Sequence, residues 1–141
     1  MTYKINLFAA APVLMNDWLR TTTVLAEATD LEPILSELVR LRASQINGCA
    51  NCVNLLPVWR EAPCYTDRER AALGWTEALT RLSEGHGHAG AYGALKVHFT
   101  EEEQIKLTLA INIINGWNRV AAGFGLWVEP ARLKAVIKAA A

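Results

Sequence analysis

An all-α helical bundle is the fold this sequence predicts, and three features carry the expectation. Apolar residues recur at three- and four-residue steps over long windows, the period that lines one face of an α-helix. Two Thr-x-x-Glu pairs, Thr66 with Glu69 and Thr100 with Glu103, stand directly ahead of such windows. Each reads as a capping box, in which the two side chains satisfy backbone N–H groups left unpaired at a helix start. Strand patterns are scarce, and no internal repeat, low-complexity tract or linker interrupts the chain. At 141 residues it is one domain, spanning 1–141, and long enough to bury a core.

The elements follow in order. Leu31 to Ser44 places Leu31, Ile34, Leu35, Leu38, Val39 and Leu41 at helical spacing, with Pro33 near the start, where its missing N–H costs nothing. Asn47-Gly48 breaks that helix. The Thr66 box opens a helix through Ala71 to Leu79, which Gly85 closes. Glycines at 85, 87, 90 and 93 make residues 85–93 a loop leading into a short helix. The Thr100 box opens Ile105 to Ala122, where Ile105, Leu109 and Ile113 form one line and Leu107, Ile111 and Ile114 another. So wide an apolar arc predicts burial on more than one side, at a bundle centre or between subunits. Pro130 opens a last short helix, Ala131 to Ala140.

Lys and Arg number 14 and Asp and Glu 14, so the formal charge is zero. Without a basic stripe, neither nucleic acid nor an anionic membrane is expected as a partner. The hydrophobic fraction is 52%, five tryptophans included, which exceeds what a small monomer readily hides and predicts a homo-oligomer. No apolar run approaches the roughly 18 residues of a membrane span. Met1 to Asn6 carries no signal-peptide pattern. Three cysteines, two of them close together, do not make a secreted disulfide framework, so a reducing cytoplasm is the expected setting.

The chemistry concentrates in Cys49-Ala50-Asn51-Cys52. Following Asn47-Gly48, Cys49 is expected at the first position of a new helix, with Cys52 one turn on along the same face. Side-chain origins at that spacing lie about 5–6 Å apart, close enough to bridge after modest adjustment. Free N–H groups and the positive helix end stabilise a thiolate there, and a second thiol beside it can resolve a sulfenic acid to a disulfide. Two blander readings stand beside this one. The pair could be half of a zinc site, completed from Cys64, His86, His88 or His98, although no second half is spaced for it. It could also be two inert core thiols. Cys64, beside Pro63 in a connection, reads as a passive thiol.

The stretch from Glu37 to Cys52, Glu-Leu-Val-Arg-Leu-Arg-Ala-Ser-Gln-Ile-Asn-Gly-Cys-Ala-Asn-Cys, closely resembles the core of the alkylhydroperoxidase D / carboxymuconolactone decarboxylase family. Tyr3 to Pro12 is similar to the family's opening segment. Trp59-Arg-Glu-Ala-Pro, Asp67 to Thr80, Phe99 to Glu103 and Ile114-Asn-Gly-Trp-Asn-Arg119 resemble landmarks of its peroxidase-related subgroup. The resemblance implies a helical fold assembled into trimers or hexamers, and reduction of hydroperoxides without a metal, flavin or other cofactor. It implies that Cys52 attacks the peroxide, that Cys49 resolves it, and that an external thiol or disulfide reductase supplies electrons. It gives Glu37 a place in a proton relay, for which partial burial near the cysteines is expected.

One departure stands out. The family's relay histidine falls four residues after the second cysteine, where this chain has Leu56. A longer helical stretch carrying that histidine normally separates the segments that here meet at Asn54-Leu55. Four or five turns are absent, some 25 Å at about 1.5 Å per residue. Losing a core helix would open the bundle, so the expectation is that the intact molecule carries more residues between Asn54 and Leu55. The leading function is therefore a thiol-dependent peroxidase acting through Cys52, Cys49 and Glu37. The alternative is a non-catalytic oligomer of the same fold that binds a small apolar ligand or a partner protein. Thiol reactivity at neutral pH separates the two.

Overall fold

The computed structural model describes residues 6–47, 59–60, 62–85 and 88–124. Among the described residues the secondary structure is helical throughout, with no strand. α1 is Leu7–Ala10, α2 Pro12–Thr29, α3 Pro33–Ile46, α4 Asp67–Thr80, α5 His88–His98 and α6 Glu101–Phe124, with a single 3-10 turn at Leu82–Glu84. The all-α expectation holds.

The punctuation explains the boundaries. Pro12 and Pro33 occupy the first turns of α2 and α3, as the missing proline N–H permits. Thr66 and Glu69 close the expected capping box on α4. Thr100 and Glu103 do the same ahead of α6, with the Thr100 N–H donating to Glu103 at 2.8 Å and the Glu103 N–H to Thr100 Oγ1 at 3.3 Å. Glu101, Glu102 and Glu103 also set three negative charges against the positive end of α6. α2 ends on Asp30 in the left-handed region, φ 44°, a conformation aspartate tolerates better than most residues.

α4 packs against α3 and α5, and α6 lies against α2 on one side and α3 and α4 on the other. The main core joins Leu35 and Val39 of α3, Ala71 and Ala72 of α4, Leu95 and Phe99 at the end of α5, and Leu107 and Ile111 of α6. Each large aliphatic side chain buried there contributes about 1.5–3 kcal/mol. A smaller cluster sets Trp59 and Leu73 against Leu38, Leu41 and Tyr65 on another side of α4.

Three features differ from the sequence expectation. α2 has no counterpart in it. Only Thr22 and Thr29 are buried in this 18-residue helix, whereas Val13 and Leu14 are 71% and 73% exposed, so no apolar stripe faces inward. α2 is held instead by Trp18 packing 5.9 Å from Trp117 and by the Trp117 Nε1–H donating to Thr22 Oγ1 at 3.2 Å. Gly116 permits that approach, because a Cβ there would sit 2.9 Å from the Trp18 ring. Second, α5 begins at His88, so Gly90 and Gly93 lie inside a helix that its alanines and Leu95 carry, where a loop was expected. Third, of the two apolar lines on α6, Leu107 and Ile111 are fully buried and Ile114 half-buried in one, whereas Ile105 and Leu109 of the other face outward in the single chain and Ile113 is half-buried. The expected helices at Cys49 and at 131–140 lie outside the described residues.

Candidate functional site

The half of α3 nearest the cysteines is polar where its first half is dry. The helical period puts Leu35, Val39, Arg42 and Ala43 on one inward face, so a cation sits on a core stripe. An unpaired charge there costs several kcal/mol, and the fold supplies a partner from α4. Arg42 and Glu77 are only 8% and 7% exposed, and Arg42 Nη2 donates to Glu77 Oε1. The Trp59 Nε1–H donates to the same oxygen at 2.8 Å, and Arg60 Nη2 donates to Oε2. Arg42 Nη1 donates to Gln45 at 3.1 Å. Burial alone raises the Glu77 pKa. Hydrogen bonds from Trp59, Arg42 and Arg60, with the Arg42 charge, outweigh it and hold the carboxyl below its usual range.

α4 grips the Trp59 turn a second time. Arg70 stands two helical turns before Glu77, on the same face. Its guanidinium donates to the carbonyls of Arg60 (2.7 Å), Ala62 (2.9 Å), Tyr65 (3.1 Å) and Trp59 (3.4 Å). The Arg60 guanidinium lies 4.4 Å from the Trp59 ring centre, a cation–π contact that completes the turn. A cavity of about 540 Å³ opens beside it, lined among others by Trp59, Arg60, Arg70, Glu77, Arg81 and His98.

On the α6 side a polar ladder anchors the end of α3. Asn47 Nδ2 donates to Asn115 Oδ1 at 2.7 Å, and Asn115 Nδ2 donates to Thr80 Oγ1 at 3.0 Å. Ser44 and Asn118 meet at 3.4 Å. α3, α4 and α6 thus converge through buried polar side chains on Asn47, two residues before Cys49. Asn115 and Asn118 are both buried and both bond to this end of α3.

Cys49, Cys52, Leu56 and the Asn54-Leu55 junction lie outside the described residues. Glu37 departs from its expected environment. Its side chain is 56% exposed and accepts from Arg40 at 3.1 Å, because it stands two residues from Leu35, some 200° around the helix from the buried face. The buried carboxylate is Glu77. The sequence hinted at it through two opposite charges, Arg42 and Glu77, set among apolar helical positions, a pattern the sequence reading passed over. Cys64 is an exposed free thiol. Among the described residues no group of three or more His, Cys, Asp or Glu is placed to hold a metal. No described helix is long and apolar enough to cross a membrane.

No family model matches the chain. A solved structure from Agrobacterium tumefaciens, a protein of unknown function described as a candidate antioxidant defence protein AhpD, superposes with a TM-score of 0.79. It is 39% identical in sequence, and the match covers 87% of this chain and 95% of that one. The chain belongs to the AhpD-like family. An uncharacterised protein of Bacillus subtilis, YdfG, is 28% identical over 145 residues, covering 89% of this AhpD-like chain and 96% of YdfG. An alignment of 145 positions that draws on 89% of 141 residues leaves about twenty positions of YdfG without a counterpart here.

Proposed function

We propose that this AhpD-like protein is a thiol-dependent peroxidase that reduces hydroperoxides through Cys52 and Cys49. The observation that carries the reading is the Cys49-Ala50-Asn51-Cys52 pair in a chain 39% identical to a protein described as a candidate antioxidant AhpD. The Cys52 thiolate attacks one peroxide oxygen and the O–O bond breaks. Sulfur keeps a hydroxyl as sulfenic acid, and the departing oxygen takes a proton to leave as alcohol, or as water from hydrogen peroxide. The Cys49 thiolate then displaces that hydroxyl, which leaves as water, and the disulfide forms. An external thiol or disulfide reductase returns two electrons and two protons. Glu37, open to solvent beside Arg40, carries protons to or from these steps.

An extra helix between Asn54 and Leu55, the junction where the family resemblance breaks, would have about the length of the twenty unmatched positions of YdfG. An intact mass above that of the 141 residues by about a twenty-residue segment would establish it; a mass equal to the chain would remove it, and the relay histidine with it. The outward apolar side chains of α2 and α6 support a homo-oligomer, and light scattering that finds a monomer at micromolar concentration would overturn that part. The central test is peroxide-driven oxidation followed by mass spectrometry. Cys52→Ser should abolish turnover, and Cys49→Ser should stop at one sulfenic acid on Cys52. Sulfenic acid on Cys49 in the Cys52→Ser variant would reverse the roles, and no thiol oxidation in the unaltered protein would sink the reading.

A further inference from the structure

Arg42 lies upstream of Cys49 and Trp59 downstream of Cys52, and the two side chains end on the same oxygen of Glu77. We propose that Glu77 is a positioning residue for the thiol chemistry, holding from within α4 both flanks of the cysteine-bearing stretch at a fixed separation. The inference rests on the peroxidase reading above. The arrangement exceeds what neutralising Arg42 requires. One carboxylate oxygen would pair Arg42, yet Oε1 also accepts the Trp59 indole and Oε2 accepts Arg60. A buried ion pair contributes little net stability compared with well-packed apolar residues, so a plain core would do as well if only stability were at stake. Arg70 acts in the same sense from the same face of α4, taking four carbonyls of the turn that begins at Trp59. The upstream flank is held again where Asn47 meets Asn115. Two flanks fixed on one helix define where the intervening stretch begins and ends. Attack of one cysteine on the other's sulfenic acid is an intramolecular step, and its rate depends on how closely the approach is preset.

The experiment combines Glu77→Gln, Trp59→Phe and, as a control, Arg68→Gln. Arg68 bridges α4 to Glu103 and Glu32 and touches neither flank, so its loss reports general destabilisation alone. Each protein is pulsed with hydrogen peroxide well below its melting temperature, and the decay of sulfenic acid into disulfide is timed by quenched-flow mass spectrometry. Glu77→Gln is expected to slow closure at least tenfold and Trp59→Phe at least threefold, with Arg68→Gln within twofold of the parent. Trp59→Phe keeps an aromatic ring and the Arg42–Glu77 pair while removing the indole N–H, so it decides the matter if Glu77→Gln does not fold. Amide hydrogen exchange at 43–47 and 59–65 should rise in the same two variants, while that of Leu107 and Ile111 in α6 stays at the parent level. Closure and flank exchange unchanged in both variants, or slowed equally in the Arg68 control, overturns the proposal. An unaltered protein that peroxide does not oxidise overturns the peroxidase reading instead, and flank exchange alone then decides whether Glu77 holds the two ends.

Discussion

Replacing Asn115 with Ala removes the rung that joins the last turn of α3 to α4. Asn115 is buried, accepts from Asn47 at 2.7 Å and donates to Thr80 at 3.0 Å. Each bond contributes about 1 kcal/mol net. Asn47 keeps its bond to the Ala43 carbonyl at 2.8 Å and Thr80 is half-buried, so neither partner carries the full penalty of isolation. The amide's lost packing adds a little, and the sum is a destabilisation of about 2–3 kcal/mol. For a chain of this length that lowers Tm by about 6–12 °C. Urea unfolding followed by circular dichroism measures it. A double-mutant cycle with Asn47→Ala isolates the rung itself, with an expected coupling of about 1 kcal/mol. A loss below about 0.5 kcal/mol, within the range of ordinary surface changes, or a coupling near zero, would refute the ladder as the anchor of α3.

Stability should fall as the solution is acidified. Glu77 and Glu103 hold their protons less tightly folded than unfolded, so the unfolded chain binds more protons as pH drops through the ordinary carboxylate range. Their contribution is complete above about pH 5 and is lost as pH falls through the folded values; urea midpoints from pH 7 to 3.5 should show a shallower decline in Glu103→Gln than in the parent. Asp30→Gly should stabilise by about 0.5–1 kcal/mol, since glycine meets a φ of 44° without strain; a lower Tm would refute this. Gly116→Ala should cost about 1 kcal/mol by pushing its Cβ into the Trp18 ring, and Trp18→Phe should relieve the cost in the double variant.

What the sequence disclosed was what local physics decides. The capping boxes at Thr66 and Thr100, Pro33 at the start of α3 and the end of α3 at Asn47 each depend on neighbours within a turn, and all stand where the pattern put them. α2 escaped because its inward residues include Thr22 and Thr29 while its large apolar side chains point away, so the usual signal is inverted. α5 escaped because Gly90 and Gly93 read as loop residues, whereas the helix propensity of its alanines and the burial of Leu95 are enough to keep the helix. Glu37 and Glu77 show the harder limit. Both are single carboxylates in helices, and the one that is buried is distinguished by distant partners, Arg42 at 35 residues away in the chain and Trp59 and Arg60 at 18 and 17. Pairing across helices is a tertiary fact, visible in sequence only once both partners are suspected.

α3 and α6 share one division along their length. Leu35 and Val39 meet Leu107 and Ile111 in a dry core, whereas farther along the same two helices Ser44 and Asn47 meet Asn118 and Asn115. Polar groups inside a small bundle give less net stability than the apolar contacts they displace, because each hydrogen bond made is exchanged for one with water. They do specify direction and register, since an unpaired amide or guanidinium is far costlier than a misplaced leucine. The fold therefore places its directional contacts at the end of α3 from which the Cys49–Cys52 stretch departs, and leaves the rest of the helix to apolar packing. The same contacts that stabilise the end of α3 thus also fix its direction, which apolar packing alone would leave looser.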